Sequence, residues 1–214
     1  MDLQDLRREY SQGTLDISDL DPSPFRQFGL WFEQAQEAGF SPDASAMIIA
    51  TVGHSGQPSQ RMVLLKELDE RGFVFYTNLD SRKAREMRDN PQVCLHFPWH
   101  PIERQVIVYG EAERLPDDAA REYFQSRPRG SQIAAWASQQ SRKVASREAL
   151  EKAVADVEAR YPGEEPLPLP DSWGGYRVVP HQLEFWQGRR SRLHDRLVYS
   201  RQGAAKWVLE RLQP

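Results

Sequence analysis

Cations are the side chains of this sequence that most need explaining, because of where they stand. Ser81-Arg82-Lys83-Ala84 places a helix N-cap residue directly before two of them, and Pro91 lies beyond a helical run containing Glu86 and Arg88. Free backbone N–H groups already make a helix start positive. Two cations there make sense if an anion, most often a phosphate, sits on that start. Upstream, residues 61–68 are rich in Val, Leu and Met and read as a strand. Alternation puts Arg61, Val63 and Leu65 on one face and Met62, Leu64 and Lys66 on the other. Five residues of strand span about 16 Å. Arg61 and Lys66 therefore suit a long ligand or two adjacent ones, and equally well the solvated ends of a buried strand.

Two further groups carry chemistry. Tyr123 and Arg127 lie one turn apart on a helix opened by Pro116 and ended by Pro128, with Ser131 just beyond. A phenol, a guanidinium and a hydroxyl together make a phosphate pocket. The same three groups also read as polar decoration of a helix end. Near the C-terminus, RLHDRLVY (192–199) reads as a strand that aims Arg192, His194 and Arg196 at one face. Either an anion or polarised ring lies between them, or this is an edge strand whose charges discourage pairing. His96 and His100 are four apart, but Pro98 intervenes and no third ligand is near, which argues against a metal. Cys94, the single cysteine, lies in the apolar run VCLHF and reads as an inert buried thiol; it excludes an internal disulfide.

These groups need a scaffold. The 214 residues suffice for one large domain or two small ones. A net charge of −3 provides no basic field to recruit nucleic acid. The first ten residues lack an apolar leader and no segment approaches membrane-spanning length, so the chain reads as soluble and cytoplasmic, with neither nucleic acid nor membrane as partner. Leu3, Leu6 and Tyr10 have the spacing of a short helix. Ser23-Pro24 starts a second helix, whose apolar face is Phe25, Phe28, Trp31, Phe32 and Ala35 and which Gly39 ends. Strands are predicted over 46–52, 61–68, 73–77, 92–97, 104–115, 183–187 and 192–199, with Asp69 to Gly72 as a hairpin turn. Residues 146–161 form an amphipathic helix, followed by a Pro-rich link. Closely spaced strands with short turns predict a mostly antiparallel sheet closed as a barrel.

In order along the chain, RREY (7–10), QRMVLLK (60–66), VFYTN (74–78), SRKA (81–84), FPWH (97–100), ERQV (103–106), YFQSRPRGSQIAAWAS (123–138), WGGYRV (173–178), EFWQG (184–188) and RLHDR (192–196) closely resemble the pyridoxamine 5′-phosphate oxidase family. The match continues to the terminal RLQP. The resemblance implies an α+β, mostly β chain with flanking helices: an FMN-binding split β-barrel of antiparallel Greek-key type. An arm (1–22) would close the active site of a single domain (23–214). It also implies a homodimer with non-covalent FMN at the subunit interface. The implied reaction oxidises pyridoxamine 5′-phosphate or pyridoxine 5′-phosphate to pyridoxal 5′-phosphate, with dioxygen as acceptor, hydrogen peroxide as product and ammonia released from the amine.

Residue by residue, the resemblance assigns FMN contacts to Arg61, Met62, Val63, Leu64, Leu65, Lys66, Tyr76 and Thr77, and to Arg82, Lys83, Gln105, Gln140, Ser141, Trp186 and Arg196. Lys66, Tyr123, Arg127 and Ser131 would hold the substrate phosphate. Arg192, Leu193 and His194 would meet the substrate ring, with Arg192 and His194 as the catalytic pair, and Arg7, Arg8, Glu9 and Tyr10 would close the site. One stretch departs from the pattern: GTLDISD (13–19) is acidic where relatives are expected to be more basic. The competing reading is a non-enzymatic flavin- or pyridoxal-phosphate-binding protein on the same barrel. Intact Arg192, His194, Tyr123, Arg127 and Ser131 argue against it.

Overall fold

Burial alternates along β1, β5 and much of β6, and the inner faces of the barrel strands meet around one helix. A computed structural model describes residues 1–5, 8–39, 44–203 and 206–214. Ser23 is extended and its Oγ accepts the Arg26 N–H at 3.4 Å, which starts α1 (Pro24–Glu37) with Pro24 in its first turn. The strands β1 (Ala46–Val52), β2 (Pro58–Leu64), β3 (Glu67–Asp69) and β4 (Gly72–Asn78) precede α2 (Arg82–Asp89). Next come β5 (Gln92–Trp99), β6 (Arg104–Arg114), α3 (Asp117–Ser126), α4 (Arg129–Ala137) and α5 (Arg147–Arg160). The long β7 (Trp173–Gln187) and the hairpin β8 (Asp195–Gln202) and β9 (Lys206–Leu212) complete the chain.

Every strand pairing is antiparallel, in the order β2-β1-β5-β6-β7-β4-β3. The two ends of this path, β2 and β3, are consecutive in the chain and only Leu65 and Lys66 separate them. The Leu65 N–H donates to the Ser45 carbonyl at 2.9 Å on one side, and the Lys66 N–H to the Val74 carbonyl at 2.8 Å on the other. The sheet thus returns on itself as a split barrel. Phe28 of α1 fills it, with ring centroids 4.8 Å from Phe97, 5.0 Å from Phe73 and 5.5 Å from Trp99, while Trp31 meets Phe185 at 5.1 Å. A smaller apolar cluster outside the barrel joins Ala120, Phe124, Ile133, Leu167 and Trp173 under α3 and α4.

The structure redraws several expected boundaries. The strand expected over 61–68 is two strands with the seam at Leu65–Lys66 between them. The strand expected over 183–187 begins ten residues earlier, at Trp173, and runs through Pro180. The pairing shifts there, from Tyr109↔Gln182 to Gly110↔Pro180, and such a bulge accommodates a proline that cannot donate to the ladder. Residues 192–194 precede β8, which starts only at Asp195, because Arg190–Arg192 form a 3-10 turn with Ser191 and Arg192 at φ 56° and 62°. No helix forms over the described part of the arm before a 3-10 turn at Ile17–Asp19; Leu6 lies outside the described residues. Helix α4 and strand β9 were not expected at all.

The hairpin turn falls where it was expected, with Asp69 opposite Gly72 and the Asp69 carboxylate accepting the Arg71 and Gly72 N–H groups. Gly72 has φ 139°, and a Cβ there would stand 2.0 Å from the Val178 carbonyl oxygen. Gly72→Ala is therefore expected to lower stability by at least about 1–3 kcal/mol, measured as a fall in the urea midpoint with unchanged slope. An unchanged midpoint would show that the β4–β7 seam relaxes without cost.

Candidate active site

A cavity of about 590 Å³ lies outside the barrel, between the β2–β3 seam, β4 and the α3–α4 turn. The outer face of β2 supplies Met62 and Leu64, the seam supplies Lys66, and Val63 also touches the space. Tyr76 and Thr77 come from β4, Tyr123, Arg127 and Ser131 from the helical turn, and Lys83 and Gln140 close one end. Tyr76, Tyr123 and Trp173 stack nearly parallel: Tyr76 is 4.1 Å from Tyr123 and 5.4 Å from Trp173. Such a wall suits a flat ring system.

The α3–α4 turn is shaped by its proline. Arg127 precedes Pro128 and is extended (φ −72°, ψ 149°), since the proline ring disfavours helical geometry in the residue before it. The helix ends at Ser126, so Arg127 leaves the helical face and turns towards Trp173, its guanidinium carbon 5.1 Å from that ring. Buried Gln132 steadies the turn by donating to the carbonyls of Arg127 at 2.7 Å and Gln125 at 3.2 Å, while its Oε1 accepts the Leu167 N–H. Sequence reasoning had no signal for Gln132 beyond its place in the QSRPRGSQ motif. Arg127 Nη1 is the only buried side-chain nitrogen or oxygen among the described residues with no hydrogen-bond partner. Burial lowers the pKa of this guanidinium, the mark of a charge desolvated ahead of its partner. An orphaned guanidinium N–H beside an ammonium and two hydroxyls fits a phosphate ester.

At the other end, Ser81 caps α2 by accepting the Ala84 N–H, and Lys83 turns inward. Its Nζ donates to Thr77 Oγ1 at 2.9 Å and Gln140 Oε1 at 2.8 Å. Burial, and then the Arg61 charge, depress its pKa to about 8. Arg61 and Arg82 are held by partners within the wall. Arg61 points into the barrel wall, 2.5 Å from both Thr51 Oγ1 and Ser59 Oγ and 3.5 Å from Glu86 Oε2. Arg82 Nε meets Glu86 Oε1 at 2.7 Å, and the Arg82 N–H donates to Ser141 Oγ at 3.1 Å. Neither side chain lines the cavity. Glu86, passed over in the sequence as part of a helical run, is their shared counter-ion. Burial would raise its carboxyl, but hydrogen bonds from Thr51, Ser59 and Arg82 overcome this and hold it at about 2. Leu65 is buried in the core and does not face this cavity.

The remaining predicted residues gather on a different surface. Gln105, Trp186 and Arg196 are successive cross-strand neighbours on β6, β7 and β8. Arg196 is held by Glu184 through two hydrogen bonds of 2.7 and 2.9 Å, so the strand cation has an internal partner. Arg8, Glu9, Tyr10, Arg192 and His194 line a second cavity of about 600 Å³, which shares no residue with the first. Arg7 lies outside the described residues, and Leu193 is exposed beside this cavity. His194 Nδ1 accepts the Arg189 N–H at 3.1 Å, so a neutral ring carries its hydrogen on Nε2. Burial, followed by the Arg192 charge, lowers the His194 pKa and favours that neutral form. No cluster of metal-binding side chains occurs among the described residues, and no helix there is long and apolar enough to cross a membrane.

A split antiparallel barrel with a flat aromatic wall between two cationic ends defines a binder of phosphorylated ring compounds. Family comparison is more specific. Residues 33–161 match the model of the pyridoxamine 5′-phosphate oxidase family, and residues 173–214 that of the pyridoxine 5′-phosphate oxidase C-terminal dimerisation region. A pyridoxine/pyridoxamine 5′-phosphate oxidase of Pseudoalteromonas translucida is 55% identical over 214 residues, covering all of both chains. The crystal structure of PhzG from Burkholderia lata, in complex with tetrahydrophenazine-1-carboxylic acid, superposes with a TM-score of 0.86 at 30% identity, covering 94% of this chain and 100% of that one. A pyridoxamine 5′-phosphate oxidase-related, FMN-binding protein of Nostoc punctiforme shares the fold, with a TM-score of 0.72 at 17% identity over 91% of this chain and 100% of that one. The chain belongs to the pyridoxamine 5′-phosphate oxidase family.

The depressed Lys83 pKa makes anion binding pH-dependent. A phosphate beside Lys83 favours the ammonium and raises its pKa, so binding takes up a proton wherever free Lys83 is neutral, above about pH 8. Calorimetric affinity for inorganic phosphate is expected to fall from about pH 8 to about 9.5, by at most roughly tenfold per pH unit. Lys83→Met should flatten the profile. The same slope in wild type and variant would assign the titration elsewhere.

Proposed function

We propose that the chain is an FMN-dependent oxidase that converts pyridoxamine 5′-phosphate and pyridoxine 5′-phosphate to pyridoxal 5′-phosphate in the cytoplasm. Dioxygen is the acceptor and hydrogen peroxide the product. The observation that carries this reading is the guanidinium of Arg127, whose buried Nη1 has no hydrogen-bond partner, on the wall of a cavity that Lys66, Tyr123 and Ser131 also line. Full-length identity to pyridoxine/pyridoxamine 5′-phosphate oxidases supports it.

FMN, when bound, would supply the hydride acceptor and the route for electrons to dioxygen. The chain's own residues bind and orient. Lys66, Tyr123, Arg127 and Ser131 hold the substrate phosphate. Lys83, Thr77 and Gln140, with Ser141 at the start of α2, hold the FMN end, and the Glu86 network keeps that wall rigid. Gln105, Trp186 and Arg196 complete the cofactor site from the other surface. Arg192 holds the substrate ring, and His194 donates a hydrogen bond from Nε2. The arm, residues 1–22, closes the site on the domain formed by 23–214. Because the two residue sets occupy separate cavities of one protomer, each complete site takes one set from each of two copies. The exposed Met62, Leu64 and Leu193 beside them suit such an interface. The functional unit is thus a homodimer with FMN between its subunits.

The test is peroxide formation from pyridoxamine 5′-phosphate by purified, FMN-loaded protein; flavin binding without peroxide would favour a non-enzymatic carrier. Substrates lacking phosphate leave Lys66 and Arg127 without their anion, which costs more than the lost contacts alone. Pyridoxine is expected to fall below its 5′-phosphate by at least about a thousandfold in kcat/KM, if the charge-assisted contacts are near-additive. Arg127→Ala should lower kcat/KM for the phosphorylated substrate by roughly 10- to 150-fold with FMN content preserved. Equal kcat/KM for both substrates in wild type would remove the phosphate assignment.

A further inference from the structure

Glu103 has no part in the assignments above, yet its carboxylate is buried and reaches across about ninety residues of sequence. It follows the 3-10 turn His100–Ile102 with left-handed backbone (φ 55°, ψ 35°). Its Oε2 accepts the N–H groups of Ser11 at 2.7 Å and Gln12 at 2.9 Å, and its Oε1 accepts Arg8 Nη2 at 3.2 Å. Each of these described bonds goes to the N-terminal arm. The backbone of Glu103 serves the barrel instead: its carbonyl accepts the Gly188 N–H at 2.8 Å and Gln187 Nε2 at 3.2 Å. Side chain and main chain therefore hold different partners.

Between Arg8 and Ser11 the arm presents Tyr10. Its ring lies edge-on to Trp186 at 5.7 Å and to His194 at 5.6 Å. It rests so closely on Gly188 that a Cβ there would come within 2.8 Å of the ring. A buried carboxylate gripping two consecutive amides sets where an extended segment lies, since neither donor can move without leaving that charge unpaired.

We propose that Glu103 is a positioning residue, whose carboxylate clamps residues 8–12 and thereby holds Tyr10 over His194 and the substrate site. The proposal rests on the oxidase reading for its catalytic consequence, but the clamp itself is a property of the fold. It predicts that loss of the carboxylate frees the arm and weakens substrate retention while the flavin site stays intact.

In the FMN-loaded full chain, Glu103→Ala is expected to accelerate tryptic cleavage after Arg8 by about tenfold or more, matching the loss of charge-assisted hydrogen bonds. Its KM for pyridoxine 5′-phosphate should rise by a similar factor, about tenfold, with a smaller change in kcat and full FMN content. Ser11→Pro removes one of the two donors from the exposed side and leaves the barrel untouched, so it should reproduce both effects in part even if Glu103→Ala folds poorly. Tyr10→Ala supplies the decisive comparison. Glu103→Ala added to it should raise KM no further, because both act through the same segment. Multiplying losses in the double variant, or unchanged cleavage after Arg8 in both Glu103→Ala and Ser11→Pro, would overturn the clamp. Faster cleavage in a protein that forms no peroxide would instead keep the clamp and remove the oxidase reading.

Discussion

Two backbone hydrogen bonds at Leu65 and Lys66 decide most of what this fold can do. They turn an open sheet into a barrel by letting one continuous segment serve β1 on one side and β4 on the other. Alternation runs on through the crossing, so Leu65 goes into the core while Lys66, like Met62 and Leu64, emerges into the cavity. A cation at that seam is held by the backbone of two strands. It need not be ordered by its own contacts, which is how a rigid scaffold lowers the entropic cost of binding an anion.

The charge arrangement follows the same economy. Glu86 pairs with both Arg61 and Arg82 within the wall and offsets one of their two charges, while Lys83 is the ammonium facing the cavity at that end, already partly destabilised by burial. At the opposite end Arg127 is desolvated without a partner. Each end of the cavity thus carries one strained cation backed by neutral donors. That pattern favours a ligand with two anionic groups, or two ligands lying end to end, over a single small anion.

Much of the scaffold and many of the site residues were legible in the sequence, for physical reasons that differ by residue. Ser23-Pro24, Ser81 and Ser146 are local helix starts, and local capping chemistry reads directly. The turn at Asp69 to Gly72 is equally local. Lys66, Lys83, Tyr123, Arg127 and Ser131 line one cavity as the motifs implied. What could not be read depended on distant partners. Nothing local shows that Glu86 stands between Arg61 and Arg82, because that depends on how α2 packs against β1 and β2. RLHDRLVY alternates like a strand, but left-handed backbone at Ser191 and Arg192 delays β8 until Asp195. The start of β7 was hidden because Gly174 and Gly175 weaken a strand signal, whereas tight packing against Leu79, Tyr76 and Leu115 selects those glycines. Glu103 and Gln132 had no signal beyond their places in the ERQV and QSRPRGSQ motifs; both act through contacts made only after folding.

Strand β7 has a consequence for how the protein is made. Its first half pairs with β4, its second half with β8, and residues 176–187 with β6. During synthesis from the N-terminus, the ribosome releases β4 and β6 well before residues 173–187 exist to join them. Until then both strands present open edges rich in aromatic and β-branched residues, the kind of surface that pairs with other chains. The match to the dimerisation region begins at that same Trp173. The stretch that matches the dimerisation region is therefore also the one that seals the barrel, so the sheet edges close only once that stretch has been made.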